Sequence, residues 1–408
     1  MLAVTLWRGL SDRSYWEALP ERLGFGPALP AGGLWVHAVS VGEVQAAASL
    51  VRALRQRYPQ LPLLLTTSTP TGRGRARSLF GDEVGVRYLP YDLPGPVRRF
   101  LDRARPRLGI VLETELWPNL YRDCARRGVP LVLASARVSA RSVRRYRWLG
   151  GLVRATLARV VVAAQSEADA ARFTALGADP AQVRVVGNLK FDFELPPRTE
   201  AQGRALRATL GAARPVWVAG STHDGEEELV LDAHARLRAA RPDALLVLAP
   251  RHPPRFAAVA ALLRRRGVAF VARSTAQPVT ATTEVLLVDT LGELVLFYAA
   301  ADVAFVGGSL VPVGGHNLLE PAALGKPVIT GPYTANAAPV ARLLIDAGAA
   351  EVVADGAALA ASVTRLLADP AAMRGAGGRG LAAVGANRGA LARFLALLEP
   401  FGGAPGAT

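Results

Sequence analysis

One pattern constrains the fold more than any other: short runs rich in Val, Leu and Ile alternate with longer stretches of helical periodicity along the whole chain. The runs are continuously apolar instead of alternating with polar residues, which is the pattern of strands covered on both faces. Strands of that kind pair in parallel and need crossover connections, which the helical stretches supply. In the first half the runs fall at 34–39, 61–67, 86–89, 108–113, 129–134, 160–164 and 183–186. A polar, proline-bearing stretch at 193–199 interrupts them, and a second series follows at 216–219, 244–248, 268–272, 285–288, 303–306 and 328–329. The spacing predicts an α/β protein of two Rossmann-like, doubly wound domains facing a cleft, with boundaries at 1–192 and 193–380. A helix with an apolar stripe over 381–398 is expected to pack back on the first domain, and the tail past Pro400 to fray.

Composition narrows the function classes. With 51% apolar residues in 408, each half can bury a core of its own, which excludes a disordered or fibrous chain. The single cysteine, Cys124, cannot form an intrachain disulfide, and the five histidines form no metal-ligand pattern, so no metal or cofactor is expected. No apolar run approaches the roughly 18–20 residues that span a bilayer, and residues 1–7 are too short for the apolar core of a signal peptide. The chain is therefore read as neither exported nor integral, although Trp7, Arg8, Arg13 and Trp16 could rest at a membrane interface. Basic residues outnumber acidic ones by 48 to 33, and the surplus lies mostly in the first half. A basic face of that kind suits nucleic acid, an anionic membrane or an anionic substrate, or it reflects an arginine-rich composition. No clustered nucleic-acid module with interleaved aromatics is present.

Ligands of open α/β sheets bind at the carboxyl ends of strands, so the residues after each predicted strand are the candidates. In the first half, His37 leads through a glycine turn to Glu43, ahead of a helix expected to begin near Val44. Spacing alone reads Glu43 first as a carboxylate opposing the positive helix end, and second as a base for an attacking hydroxyl. Glu113 and Glu115 follow another strand and share a face if extended geometry persists; one could orient a lysine or the acceptor, or they could cap the helix after Trp117. Lys190 closes the first domain. In the second half, Gly307-Gly308-Ser309 and Gly314-Gly315-His316-Asn317 precede a helix expected to start near Leu318 and to carry Glu320. Glycines let backbone N–H groups approach a phosphate at such a helix start. Ser221 and His223, then Pro250, Arg251 and His252, then Leu291, Gly292 and Glu293 follow other strands of the same rim. Arg251 could grip two oxygens with its fork.

Taken in order, 37–43, 113–119, 187–190, 220–223, 250–253, 307–309, 314–321, Gly331 and Asn336 resemble the motifs of the transferases of 3-deoxy-D-manno-octulosonic acid (Kdo). The likeness runs from about residue 21 past Asn336, and its specificity lies in the joint order of the motifs. It implies a metal-independent, inverting glycosyltransferase of the B architecture, moving Kdo from CMP-Kdo to a hydroxyl of lipid A precursor, peripheral on the cytoplasmic face of the inner membrane. Carried over position by position, it makes Glu43 the catalytic base, with Glu115 and Lys190 supporting the transition state. The CMP-Kdo site then comprises Ser221, His223, Pro250, Arg251, His252, the 291–293 turn, Gly308, Ser309, Gly315, the segment from His316 through Asn317, Leu318 and Leu319 to Glu320, and Asn336. Arg52, Arg55, Arg73 and Arg75 are grouped as contacts for the acceptor's phosphates.

Three departures accompany the likeness: a shorter apolar start than is usual, Leu318 where proline is common, and Ala337 in place of an aromatic residue. Two other readings compete. A UDP-sugar transferase or epimerase would keep the architecture and change the donor, and a non-catalytic basic protein would bind membranes or nucleic acid without turnover.

Overall fold

The computed structural model describes residues 12–402, so Trp7, Arg8 and the tail beyond 402 lie outside the described residues. The chain divides into two compact units. The first runs to Glu194 and resumes at Asn387; the second covers Leu195–Ala386. Both boundaries lie a few residues beyond those read from the sequence.

The first unit holds a parallel sheet of β1 (Leu34–His37), β2 (Leu63–Thr67), β3 (Gly85–Tyr88), β4 (Leu108–Leu112), β5 (Leu131–Ala136), β6 (Val160–Ala164) and β7 (Val183–Val185), in the order β3-β2-β1-β4-β5-β6-β7. The direction of winding reverses between β1 and β4, which pair in register from Leu34 with Leu108 to His37 with Val111. Successive residues of a strand face opposite sides, so one strand feeds two cores: Val36 and Leu65 pack on one face, Trp35 and Leu64 on the other. Trp35 is fully buried, its indole N–H donating to Thr66 Oγ1 at 2.8 Å. Burial of each such large side chain contributes roughly 1.5–3 kcal/mol.

The second unit repeats the design with β8 (Val216–Thr222), β9 (Leu245–Pro250), β10 (Phe270–Ala272), β11 (Val285–Leu287), β12 (Val303–Val306), β13 (Val328–Thr330) and β14 (Ala350–Val352), ordered β10-β11-β9-β8-β12-β13-β14. β8 and β12 flank its switch point and carry the loops that matter below.

The segment over 381–398 is not one helix. Pro370–Ala386 belongs to the second unit and Ala390–Gly402 to the first, with a break at Gly389 in a left-handed conformation. Taken together, Pro370–Phe401 is long and apolar enough to cross a bilayer by length and composition, contrary to the expectation above, but the break divides it into helices of 17 and 13 residues. Asp192 fixes the second helix by accepting from Gly389 N–H at 2.6 Å and Leu391 N–H at 2.7 Å. Phe394 and Leu398 then bury in the core of the first sheet.

Candidate active site

At the carboxyl end of β1 the chain enters the helix Val41–Ala46, three residues earlier than expected, because Ser40 caps it. Glu43 sits in the first turn and folds back: its carboxylate accepts from Val39 N–H at 2.9 Å and from Ser40 Oγ at 3.3 Å. This is the reciprocal arrangement of a capping box, shifted by one residue. The helix-start reading of Glu43 therefore describes a real contact. That contact does not exhaust the group, because burial pushes the Glu43 carboxyl up to about 7, with the nearby Glu113 charge adding to the effect.

β4 stops at Leu112, and Glu113 takes a left-handed conformation with φ of 56°. Extended geometry does not persist, and the two carboxylates go separate ways. Glu113 accepts from Lys190 Nζ at 2.7 Å, with Arg137 Nε 3.4 Å from its other oxygen. The Glu115 carboxylate has no hydrogen-bond donor among the described residues, and burial together with the charges of Glu43 and Glu113 pushes it up to about 7. Neither residue caps the helix Pro118–Arg126; Asp92 does, accepting from Leu120 N–H at 2.8 Å and Asn119 N–H at 3.2 Å. The rim thus gathers three carboxylates and two cations, and the charge of Glu43 works to keep Glu115 protonated. Ionising one hinders the other, so the pair titrates jointly.

Lys190 lies in a 3-10 turn, Leu189–Asp192, whose position is fixed by Ser135 Oγ accepting from Leu189 N–H at 2.9 Å. Of the two carboxylates read as able to orient a lysine, Glu113 is the one that holds Lys190, whereas Glu115 makes no ion pair with it. Its placement at a strand end was visible; the turn in its backbone was not.

The four grouped arginines do not converge. Arg73 bonds Glu21 at 2.9 Å, Arg75 holds Gln45 Oε1, and Arg52 is exposed on its helix. Arg55 lines a cavity with Gly33, Pro62 and Glu83 at the amino ends of β1 and β2, the edge opposite Glu43.

In the second unit the glycine loop after β12 is built around a residue with no role in the sequence reading. Glu226 is fully buried at the start of the helix Glu226–Ala240, and its carboxylate accepts from the backbone N–H groups of Gly308 (2.6 Å), Ser309 (2.8 Å), Leu310 (2.8 Å) and His223 (3.0 Å). The N–H groups of Gly308 and Ser309 are therefore committed inside the protein and do not face a phosphate. Ser309 is likewise spent: fully buried, its hydroxyl donates to Val306 C=O and accepts from Gly331 N–H. Gly314 and Gly315 N–H groups close back onto Gly308 C=O. The acidic run from Glu226 to Glu228 behind Gly225 was the available signal for this anchor.

What the loop positions is a histidine cluster. Gly308, at φ of 68°, leaves room for His316, which a side chain there would meet at 2.8 Å. The rings of His223 and His316 lie parallel with their Nε2 atoms 2.7 Å apart, and His252 meets His223 edge-on. One Nε2 donates and the other accepts, so the two rings share a single proton between them. Burial lowers the pKa of all three, to about 4 for His316, and the Arg251 charge lowers them further. Arg251 is exposed with no carboxylate within ion-pair distance among the described residues, which leaves its fork open to an anion. Of the remaining candidates, Ser221 is left-handed at φ of 58° at the end of β8. Pro250 is buried at the end of β9. Leu318 and Leu319 bury their side chains, leaving only backbone to a ligand, and Asn317 caps the following turn by accepting from Leu319 N–H. That turn opens a helix of only five residues, Leu319–Ala323, which carries Glu320. Asn336 ties the loop together by donating to Val313 C=O at 3.0 Å. Leu291 is exposed, Gly292 left-handed, and Glu293 ion-pairs with Arg273 at 2.8 Å. Among the described residues no three His, Cys, Asp or Glu side chains group as metal ligands.

The chain is similar to known proteins over most of its length. A family model for 3-deoxy-D-manno-octulosonic-acid transferase (kdotransferase) matches residues 17–193. The chain is 45% identical over 370 residues to the 3-deoxy-D-manno-octulosonic acid transferase of Bordetella pertussis, covering 86% of this chain and 85% of the relative. It is 44% identical over 336 residues to the enzyme of that name from Haemophilus influenzae, covering 81% and 79%. Among solved structures, the UDP-GlcNAc 2-epimerase from Neisseria meningitidis bound to UDP-GlcNAc aligns with a TM-score of 0.58 at 14% identity, over 89% of this chain and 100% of that one, which marks a shared fold of the glycosyltransferase B type.

Proposed function

The chain belongs to the Kdo transferase family, glycosyltransferases of lipopolysaccharide biosynthesis, and from that premise we propose an inverting, metal-independent transfer of Kdo from CMP-Kdo to a hydroxyl of lipid A precursor. One observation carries the mechanism: Glu43 is a strand-end carboxylate whose burial pushes its pKa to about 7, the value that suits a general base at neutral pH.

In the proposed reaction Glu43, ionised, takes the proton of the acceptor hydroxyl as its oxygen attacks the anomeric carbon of Kdo. The bond from that carbon to the CMP phosphate oxygen breaks, and CMP leaves on the face opposite the new bond. Lys190, held by Glu113 at 2.7 Å, supplies positive charge toward the Kdo carboxylate. Glu115, whose own pKa is raised by burial and by the Glu43 charge, acts as a positioning residue beside it. Arg251, with an open guanidinium, takes the departing phosphate, and the His223–His316 pair offers hydrogen bonds beside it. Ser309 and Gly308 act behind this site by shaping the loop.

The acceptor is a phosphorylated lipid, so the working location is the cytoplasmic face of the inner membrane, with the chain attached peripherally. The test is CMP release from CMP-Kdo with detergent-dispersed lipid A precursor, in buffer with and without chelator, for the wild type and Glu43→Gln. Turnover that survives chelation and is lost in Glu43→Gln with CMP-Kdo binding retained supports the reading. Full activity of the variant removes Glu43 as base, and turnover of UDP-sugars in place of CMP-Kdo removes the donor.

A further inference from the structure

Between Arg137 and Gln165 the sequence contains seven arginines and no acidic residue. This stretch forms the helices Ala140–Arg147 and Gly150–Leu157, joined by a tight corner at Trp148 and Leu149. Their inner side is conventional: Val143, Tyr146, Val153 and Leu157 pack against the core of the first unit. Their outer side is not. Trp148 is 92% exposed, Leu149 52% and Leu152 51%, three large apolar groups together at one corner. Isolated exposed apolar residues are ordinary, but a contiguous set that includes an almost fully exposed tryptophan marks an interaction surface.

The surrounding charge states the kind of partner. Arg141, Arg144, Arg145 and Arg147 are exposed on the adjoining turns, and none meets a carboxylate among the described residues. Spacing of three and four residues sets Arg141, Arg144 and Arg145 on the side of the helix that leads to Trp148 at the corner. An acidic protein or a nucleic acid would use the arginines and leave Trp148 and the two leucines in water. A bilayer containing anionic lipid uses both: guanidinium groups meet headgroup phosphates while tryptophan and leucine enter the interface.

We propose that this corner is the surface by which the chain docks on an anionic membrane, a role that rests on the acceptor being a membrane lipid. The docking face is then distinct from the group Arg52, Arg55, Arg73 and Arg75. Its place in the fold supports the assignment. The stretch begins at the carboxyl end of β5, where Arg137 already touches Glu113 of the carboxylate rim, and the first helix starts three residues later. Docking through this corner therefore holds the rim that carries Glu43 near the headgroups in which a phosphorylated lipid presents its hydroxyls.

The test uses the full chain with vesicles of phosphatidylcholine alone and of equimolar phosphatidylcholine and phosphatidylglycerol, in sedimentation and in fluorescence with brominated lipid. The wild type should sediment with the anionic vesicles and not the neutral ones. Its tryptophan emission should be quenched by the brominated lipid, and the quenching should disappear in Trp148→Phe, which isolates this residue from the other five tryptophans. Combined Arg144→Glu, Arg145→Glu and Arg147→Glu should weaken vesicle binding by about a hundredfold or more. Both proteins should keep wild-type melting temperatures and wild-type turnover on detergent-dispersed acceptor, since the altered groups are exposed and away from the chemistry. Sedimentation of the charge-reversed protein like the wild type overturns the proposal, as does vesicle binding with no quenching of Trp148. Correct vesicle behaviour from a protein that releases no CMP in detergent supports the docking face while sinking the proposed reaction.

Discussion

Glu43 and Glu226 occupy comparable places, each in the first turn of a helix that follows a strand of a parallel sheet, yet they are hydrogen-bonded very differently. Glu226 is fully buried with four backbone N–H donors on its two oxygens, so its charge is satisfied and its task is to hold the loop over 308–310. Glu43 is less buried but receives one backbone N–H and one hydroxyl, and burial leaves its pKa near 7. On the proposed reading, the number of donors, more than depth, separates the structural carboxylate from the reactive one.

Exchanging the roles is the sharpest way to break this contrast, and the largest effect belongs to Glu43. Glu43→Gln keeps the shape and can still accept from Val39 N–H, so the fold should persist while CMP release falls by about 10²–10⁴-fold. A drop within a factor of two, measured in the same assay, contradicts the assignment. Glu226→Ala should do the reverse. It strands buried N–H groups in the loop, so denaturant unfolding should show a loss of about 3–5 kcal/mol, with impaired donor binding as a consequence of loop disorder. A variant as stable as wild type would show that the four hydrogen bonds are not what holds the loop.

The next contrast lies within the first rim. Lys190→Ala removes the charge facing the donor and should cut turnover about 10–100-fold. Glu113→Gln leaves Lys190 in place but loosely held, and should cost less, chiefly in kcat. Equal losses would mean that the ion pair, and not the lysine, is the working unit. The smallest effect concerns stability against pH. Glu115 has a folded pKa near 7, above its ordinary value of 4.5, so the folded state holds its proton longer than the unfolded chain. That contribution is fully present below about 4.5 and is lost as pH rises through about 7. Glu115→Gln removes the penalty, and should melt higher than wild type at pH 8, by about 1 kcal/mol, with no gain at pH 5.

The strands were legible because a parallel sheet demands continuous apolar runs, and 13 of the 14 strands coincide with one. The exception, β14, is an edge strand of Ala350, Glu351 and Val352, too short and too polar to leave a trace. The helix over 381–398 was misread because Gly389, at φ of 90°, sits in an otherwise helical pattern, where one glycine is tolerated as readily as it breaks. Motif order brought Glu43, Lys190 and Arg251 forward, since loops after strands carry function. What it could not supply was partnership. The Glu113–Lys190 pair spans 77 residues of sequence and the His223–His316 pair 93, and the backbone turn that separates Glu113 from Glu115 has no sequence signature. Ser309 and Gly308 looked like ligand groups because a glycine loop does open N–H groups; the buried Glu226 that consumes them lies 82 residues away from Gly308. The four arginines failed as a group for a related reason: short spacing sets residues on one helix face but does not bring separate helices together.

The central claim is that Glu43 is a base poised near neutrality by its surroundings. The direct measurement is a carbon NMR titration of the glutamate side-chain carboxyls in wild type, with Glu43→Gln and Glu115→Gln spectra assigning the resonances. The account predicts two transitions near pH 7 that belong to Glu43 and Glu115, with the Glu115 transition moving to lower pH in Glu43→Gln and the alkaline rise of turnover following the Glu43 transition. A Glu43 transition at about 4.5, with turnover indifferent to pH between 5 and 8, would contradict it.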